Sequence, residues 1–460
     1  MDFSGKPPQH SGLNSLLAAL DRQSARPWVG CLFLVAILER LVLWWQYQAV
    51  AYSDTPSYRR LAESVLRGFS RYNGTRTPGY PLLLAAFGPD ERVWLAQMGM
   101  VVATTFLLFY IGWQLSGRAW FGGLVGLAHT LNLGQLFFEA NLLTETASTF
   151  WVVLTLAGTV YWLYHPRKRG LWLGIGIGLA ASLAWLTRPL FIYLPFWLLF
   201  FLILPAREGM SSFSGRAVTG VVAFTLCGLC ILAVWVGFIH ERFHEWSLTT
   251  MTGYHLIQHT GEFFELVPDQ YAELRDTYLR YRDAHIAQYG TQTNTIWAAI
   301  PEMQDVSGKS FYDLSRLLAR ISIQLIREHP DLYLKNVLQG WWMFWRSPVY
   351  WAPESFQAGI PVGLLSGIVL IERIILFGVN MVFVVTSLLA IAWHKMRSAW
   401  RVNPALWAIL GTVWIASVLQ TLIDHGDNPR FLVPLQSLVV LWVLWVALQM
   451  LVNRAEERVI

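Results

Sequence analysis

An aspartate lies where the first long apolar segment of the chain gives way to a polar loop. Asp54 stands in the stretch Ser53-Asp54-Thr55-Pro56. A carboxylate at the edge of a membrane span is costly to keep, so it marks a candidate functional site. One carboxylate at such an edge could act as a general base that takes the proton of a hydroxyl group. The alternative is helix capping, because Asp and Ser favour helix N-termini. The sequence leaves both interpretations open.

Arginines stand at the ends of other apolar segments. Arg76 opens the stretch Arg76-Thr77-Pro78-Gly79-Tyr80-Pro81, Arg188 follows Leu186-Thr187, and Arg430 follows Asn428-Pro429. The planar guanidinium fork suits phosphate oxygens, so these arginines are candidates for phosphate binding. Each of them could instead extend towards lipid head groups.

Glu145 begins another apolar segment, six residues after Glu139. An acidic residue there could simply favour the N-terminal end of a helix dipole. Because both glutamates flank one short turn, we expect them to face the same space as Asp54, with Glu145 orienting a substrate.

Composition identifies the class of protein that must position these residues. The chain has 460 residues, of which 55% are hydrophobic and 14% charged, and it contains 24 Trp. Such a composition exceeds what a soluble globular protein needs and is typical of a polytopic membrane protein. The net charge of +5 comes from basic residues in short loops, so nucleic acid is not an expected partner.

Apolar runs of about 20 residues predict roughly ten crossings. The predicted spans are 28–50, 92–114, 119–137, 146–164, 171–187, 190–205, 217–239, 362–394, 403–423 and 431–452. Basic residues on alternate loops, such as Arg118, Arg167 and Lys395, place those loops in the cytoplasm. The run 362–394 is predicted to form one long helix, projecting outward or broken near Glu372. Glu39 or Arg40 is expected to pair with another helix.

The predicted fold is therefore an all-α polytopic membrane protein with a small helical extracytoplasmic cap. Residues 1–239 form an N-terminal transmembrane module, 240–360 the cap, and 361–460 the C-terminal transmembrane helices. The first outer loop, 51–91, is expected to carry two interfacial helices, near 58–69 and 78–87, because its apolar residues recur at helical spacing.

A metal site is a further possibility at the outer face. His425 with Asp424 and Asp427 could hold a divalent cation together with Asp54. His255 and His259 lie one helical turn apart, a spacing able to bind zinc. Histidines at this spacing arise readily by chance, and a lone histidine among acids is more often a hydrogen-bonding residue. Metal dependence stays open.

Taken in order, the motifs resemble those of the GT-C superfamily of integral-membrane glycosyltransferases. The most similar branch is the protein O-mannosyltransferase and aminoarabinose-transferase type. The resemblance extends roughly from the first span to the last, and the ordered set is more specific than any one motif. The motifs are Asp54 with Tyr58, Arg76-Thr77-Pro78-Gly79-Tyr80-Pro81, Leu143-Thr144-Glu145, Leu186-Thr187-Arg188-Pro189, His329-Pro330-Asp331-Leu332-Tyr333-Leu334 and Asp427-Asn428-Pro429-Arg430-Phe431.

The resemblance implies an inverting glycosyltransferase that takes a sugar from a polyprenyl phosphate, with no soluble nucleotide sugar. The acceptor would be a hydroxyl of a lipid, glycan or protein. The enzyme would lie in the bacterial inner membrane with its active site facing the periplasm or exterior. The implied catalytic residues are Asp54 and Glu145, and the implied substrate-binding residues are Tyr58, Arg76, Tyr80, Arg188, His425, Asp427 and Arg430.

One departure from the family concerns the acceptor. The mannosyltransferases often have two adjacent acids where this chain has only Asp54, between Ser53 and Thr55, so a protein acceptor is not indicated in particular. Two other functions are compatible with the sequence. One is a ligase or polymerase of glycans carried on a lipid diphosphate. The other is a flippase or transporter of lipid-linked saccharides, which should show polar residues deep in several spans or paired broken helices.

Overall fold

The computed structural model describes residues 20–21, 24–204, 215–357, 361–426 and 428–457. Apolar helices form a bundle, and a layer of amphipathic helices covers one of its ends. The bundle and its loops contain α1 Ala25–Gln46, α2 Thr55–Leu66, α3 Gly79–Phe87, α4 Asp90–Ser116, α5 Ala119–Thr130, α6 Leu133–Ala140, α7 Glu145–Tyr164, α8 Leu171–Thr187, α9 Leu194–Leu202 and α10 Gly215–Phe243. They are followed by α11 Thr252–Thr260, α12 Ala272–Tyr289, α13 Thr295–Ser307, α14 Phe311–Glu328, α15 Pro330–Phe344, α16 Val362–Ala392, α17 His394–Ala399, α18 Pro404–Ile423, α19 Asn428–Leu432 and α20 Gln436–Glu457.

Seven helical segments in the described ranges are long and apolar enough to cross a membrane, which confirms a helical membrane architecture. They are Ala25–Gln46, Asp90–Ser116, Glu145–Tyr164, Gly215–Phe243, Val362–Ala392, Pro404–Ile423 and Asn428–Arg454. Large apolar side chains on α10 and α16 are exposed, including Val234, Ile371 and Ile374. Exposed apolar faces of this kind suit contact with lipid chains rather than water.

The other three predicted spans are shorter helices. Apolar helices cover Leu171–Thr187 and Pro189–Leu202. The predicted span 119–137 is divided, because α5 ends at Thr130 and α6 begins at Leu133. The Asn132 side chain accepts a hydrogen bond from the Gln135 backbone at 2.9 Å and so caps the new helix. This polar cap explains the interruption that apolar content did not reveal.

Most of the run 362–394 forms one continuous helix, α16 Val362–Ala392, as predicted for a single long helix. Glu372 lies inside it and accepts a hydrogen bond from the Leu133 backbone at 2.8 Å, which stabilises the start of α6. Arg40 of α1 pairs with Glu139 of α6, with 3.0 Å between Nε and Oε2. The expected ion pair between the first span and another helix is therefore present.

The amphipathic helices α11 to α14 have a hydrophobic core of their own, which includes Tyr254, Phe264, Tyr278, Met303 and Leu318. The end of the bundle that they cover is called here the cap face. Helix α15 leads back into the bundle, because Phe344 and Trp345 at its C-terminal end belong to the largest core. The first loop contains two short helices, α2 and α3.

Candidate active site

Five charged side chains from separate parts of the sequence meet in one cluster at the cap face. They are Asp54 before α2, Arg76 before α3, Glu145 at the start of α7, Arg188 after α8 and Arg430 in α19. All five are among the predicted site residues. Each stands at or near the end of an apolar segment, and the bundle brings those ends together.

The contacts within the charge cluster form a chain of ion pairs. Asp54 Oδ1 accepts a hydrogen bond from Arg76 Nη2 at 2.8 Å, and Asp54 Oδ2 accepts one from Arg430 Nη1 at 2.9 Å. Glu145 Oε1 accepts from Arg188 Nη2 at 3.0 Å and also from Arg430 Nε. Arg430 thus bridges both carboxylates. Three guanidinium groups against two carboxylates leave one positive charge in excess.

The capping alternative for Asp54 does not describe its side chain. Asp54 occupies the N-cap position of α2, but its carboxylate makes no capping hydrogen bond. Only its backbone carbonyl serves the helix, by accepting from the Ser57 and Tyr58 backbones. Because both side-chain oxygens contact arginines, the carboxylate belongs to the charge cluster.

Backbone hydrogen bonds between two short extended segments set the distance between Asp54 and Glu145. The Val50 backbone donates to the Ala140 carbonyl and accepts from the Leu142 backbone, both at 2.9 Å. The Thr55 hydroxyl then donates to the Leu142 carbonyl at 3.0 Å. These bonds tie the residues flanking Asp54 to the turn that leads into Glu145. Thr55, fully buried beside Asp54, is a positioning residue that the sequence motif contained but did not explain.

A close backbone approach joins the arginine-bearing segments. A Cβ atom added to Gly79 would lie 2.5 Å from the Thr187 nitrogen and 2.7 Å from the Leu186 oxygen. Only glycine allows α3 to pack this tightly against the end of α8. The loop that carries Arg76 is thereby held beside the turn that carries Arg188.

Aromatic rings support the guanidinium groups. The Arg76 guanidinium lies over the Tyr58 ring at 5.3 Å, and that of Arg188 lies over the Phe431 ring at 4.3 Å. Such contacts favour a fixed cation. Tyr80 packs edge-on against Tyr58, with 5.1 Å between ring centres, and donates its hydroxyl hydrogen to Gln97 at 3.1 Å. Tyr80 is therefore placed behind Tyr58 rather than against the charges.

Several polar atoms of the charge cluster are buried without a hydrogen-bond partner. They are Nε of Arg76, Nη1 of Arg188 and Oε2 of Glu145. Arg188 is only 7% exposed. A buried guanidinium N–H without an acceptor is unfavourable, so two unused donors of this kind suit an anion with several oxygens.

The arginines also determine the protonation of Asp54. Burial by itself would raise the pKa of the Asp54 carboxyl, but Arg76 and Arg430 outweigh burial and hold that pKa below its ordinary value of 3.8. The carboxylate is consequently ionised at neutral pH and a weak base as long as both arginines contact it.

This pKa shift predicts a pH-dependent contribution to stability. A carboxyl group whose pKa is lower in the folded state stabilises the protein above its unfolded-state pKa, and this stabilisation is lost as the pH falls through the folded-state value. We expect the melting temperature of the wild type to exceed that of Asp54→Asn at pH 7. The difference should shrink as the pH falls below about 4. Thermal unfolding of both proteins in detergent across this range is the measurement, and a constant difference would contradict the assignment.

His425, predicted to bind substrate, is not one of the five side chains of the charge cluster. His425 lies against His259, with 5.5 Å between the ring centres. Asp427 lies outside the described residues. Glu139, expected to face Asp54, is instead paired with Arg40 inside the bundle, because α6 turns it towards α1.

The zinc spacing of His255 and His259 has another explanation. His255 Nδ1 lies 3.0 Å from Asp424 Oδ2, which ties α11 to the loop before α19. Within the described ranges, no group of three or more His, Cys, Asp or Glu side chains is arranged to hold a metal ion. The sequence indicates Asp424 only as a possible metal ligand. Its pairing with His255, 169 residues away, leaves no local sequence pattern.

Comparison with known proteins adds no relative to this description. A scan against protein-family models gives no match, and searches of curated proteins and of solved structures give none either.

Proposed function

We propose that the protein is an inverting glycosyltransferase that moves a sugar from a polyprenyl phosphate to an acceptor hydroxyl. The proposal includes the topology expected from the sequence, with roughly ten crossings and the cap face on the extracytoplasmic side of a bacterial inner membrane. The observation that carries it is the charge cluster, in which Arg430 bridges Asp54 and Glu145 at the end of a membrane bundle. The ordered motifs that resemble the GT-C superfamily support the same assignment.

The charge cluster supplies the two groups that such a transfer needs. The acceptor oxygen would form a bond to the anomeric carbon and lose its proton to the Asp54 carboxylate. The bond between that carbon and the phosphate oxygen would break, and its electron pair would leave with polyprenyl phosphate. Arg76, Arg188 and Arg430 would bind the phosphate oxygens, whose negative charge grows as the bond breaks. Glu145 would keep Arg188 and Arg430 in position.

Donor binding would also change the basicity of Asp54. Its two oxygens accept hydrogen bonds from Arg76 and Arg430. A phosphate that recruits these guanidinium groups would release the carboxylate and let its pKa rise towards the ordinary value. The donor would then create the base that activates the acceptor, so the donor should bind first.

The net charge of the cluster favours one phosphate over two. A sugar linked to polyprenyl phosphate is a phosphodiester with a single negative charge, which balances the single excess positive charge of the five side chains. A lipid diphosphate diester carries two negative charges and would leave one unbalanced. This argument favours the proposed transferase over a ligase or polymerase of glycans carried on lipid diphosphates.

A transporter of lipid-linked saccharides is the second candidate, because two features expected of one are present. The Arg40–Glu139 ion pair is buried between α1 and α6, and the segment 119–140 is interrupted at Leu131 and Asn132. Both features are partnered, however: the ions pair with each other and Asn132 caps α6. Both features therefore have a structural role within the bundle.

The test is incubation of the purified protein in detergent or nanodiscs with labelled polyprenyl-phosphate sugars and hydroxyl acceptors. We expect transfer of the label to an acceptor and release of polyprenyl phosphate, with inversion at the anomeric carbon. Transfer only from diphosphate donors would favour the ligase. Movement of labelled lipid across proteoliposomes without any cleavage would favour the transporter.

A further inference from the structure

Four polar side chains form a second buried group between the cap and the loop that leads to Arg430. His259 belongs to α11, Asn336 to α15, His425 to the loop, and Asn428 to α19. Their exposed fractions are 0%, 1%, 8% and 0%, respectively. Asn336 Nδ2 donates to the His259 carbonyl at 2.9 Å, and the His259 ring lies edge-on to the His425 ring.

Each of these side chains has at least one polar atom without a hydrogen-bond partner among the residues that the structure describes. Both ring nitrogens of His259, Nδ1 of His425, Oδ1 of Asn336 and Nδ2 of Asn428 are buried and unpartnered. The Thr421 backbone approaches the His259 ring without making a hydrogen bond of good geometry. Unpartnered buried polar atoms are unfavourable and rare in folded proteins, so a group of them indicates a place for a polar ligand.

A glycine borders the same group. A Cβ atom added to Gly340 of α15 would lie 2.8 Å from Asn428 Nδ2 and 3.6 Å from His425 Cδ2. An added methyl group would therefore displace the Asn428 side chain, whereas its distance from His425 is an ordinary contact. Gly340 allows α15 to pack closely against Asn428, so a substitution there changes the group directly.

We propose that His259, Asn336, His425 and Asn428, with Gly340 beside them, form the subsite for the sugar ring of the donor. This inference rests on the proposed function and adds to it the residues that bind the sugar. Asp424, next to His425 in the chain, interacts electrostatically with both His259 and Arg76, so the subsite adjoins the charge cluster assigned to the phosphate.

The chemistry of the group matches hydroxyls rather than a second anion. Burial, reinforced by the neighbouring His425, lowers the pKa of His259 to about 4. A neutral imidazole donates from one nitrogen and accepts at the other, and the two asparagines add one acceptor and one donor. Mixed neutral donors and acceptors suit the hydroxyls of a sugar, whereas the phosphate is better served by the arginines.

Two variants test the assignment. His259→Phe keeps a planar ring against His425 and Tyr333 but removes both nitrogens, and Gly340→Ala narrows the group. Gly363→Ala is the matched control, because an added methyl group there meets nothing within 4 Å. The probes are farnesyl phosphate and farnesyl phosphates that carry mannose, glucose or arabinose, with binding measured to the full-length protein.

We expect the wild type to bind one sugar-bearing probe more tightly than farnesyl phosphate. In both variants this preference should fall about tenfold, the effect of one or two hydrogen bonds. Their affinity for farnesyl phosphate should stay at the wild-type value. Gly363→Ala should bind every probe as the wild type does. The melting temperature of His259→Phe should be equal to or above that of the wild type, because unpartnered polar atoms are removed.

Three results would overturn the sugar subsite. In the first, the wild type binds none of the three sugar-bearing probes more tightly than farnesyl phosphate. In the second, the variants keep the full preference for the sugar-bearing probe. In the third, the variants lose affinity for farnesyl phosphate and for the sugar-bearing probe equally. The first two results would leave the group as a site for buried water, and the third would limit its role to supporting Arg430. If the wild type binds no farnesyl phosphate at all, the proposed function itself fails.

Discussion

Replacement of Asp54 by asparagine is expected to lower turnover by at least ~10²-fold, the usual contribution of a positioned general base. Asparagine keeps one acceptor oxygen, so one of the two contacts to Arg76 and Arg430 can persist. The amide cannot take a proton from an acceptor hydroxyl. Turnover should therefore fall even when donor and acceptor are saturating.

A purely structural role for Asp54 predicts different kinetics. If the carboxylate only holds Arg76 and Arg430, the variant should have a raised KM for the donor and a turnover number near that of the wild type. Measuring the turnover number, both KM values and the melting temperature on one preparation separates the two roles. Asp90→Asn is the matched control, because Asp90 also pairs with an arginine, Arg59, outside the charge cluster. A near-normal turnover number for Asp54→Asn would end the case for Asp54 as the base.

The position of the charge cluster could be predicted from sequence because membrane topology restricts where polar residues lie. Asp54, Glu145, Arg188 and Arg430 each stand at or near the end of an apolar segment, and alternate segment ends must share one side of a membrane. The pairing itself could not be predicted. That Arg430 bridges two carboxylates depends on how α2, α7 and α19 pack, which no local pattern specifies.

Some predictions that rested on local sequence patterns failed. The stretch 119–137 has the apolar content of a span, but the side chain of Asn132 starts a new helix within it. Glu139 lies six residues from Glu145, yet the helical turn of α6 directs it to Arg40. For His255 and His259, where the sequence left a zinc site open, the structure shows that His255 contacts Asp424, 169 residues away. For Glu139 and His255 a tertiary contact decides the role of the side chain, whereas the interruption at Asn132 comes from a local helix cap.

Replacement of Arg430 by alanine is expected to lower kcat/KM for the donor by ~10²–10³-fold, the loss typical when a group that stabilises developing negative charge is removed. Among the described residues, Arg430 is the one side chain that contacts both carboxylates. Alanine leaves Asp54 with Arg76 and Glu145 with Arg188, so the charge cluster loses its excess positive charge. The donor phosphate would then meet a neutral site with two fewer charge-assisted donors.

Arg430→Lys separates charge from geometry. Lysine restores the positive charge but offers a single ammonium in place of a planar fork, so it cannot reproduce contacts in two directions. We expect Arg430→Lys to recover part of the donor affinity and little of the turnover, since the phosphate charge that develops during bond cleavage needs aligned donors. Both parameters should be measured at limiting and at saturating donor, together with the melting temperature.

Replacing an arginine that contacts only lipid head groups should leave the donor kinetics unchanged. Arg242 serves as the control, because its exposed guanidinium lies over Phe238, donates to the Phe69 carbonyl and pairs with no carboxylate of the described residues. Arg242→Ala should change donor kinetics little. If Arg430→Ala behaves in the same way at limiting donor, Arg430 does not bind the phosphate. If instead only its melting temperature falls, the bridge between Asp54 and Glu145 serves stability, and the charge cluster no longer supports a phosphate-linked donor.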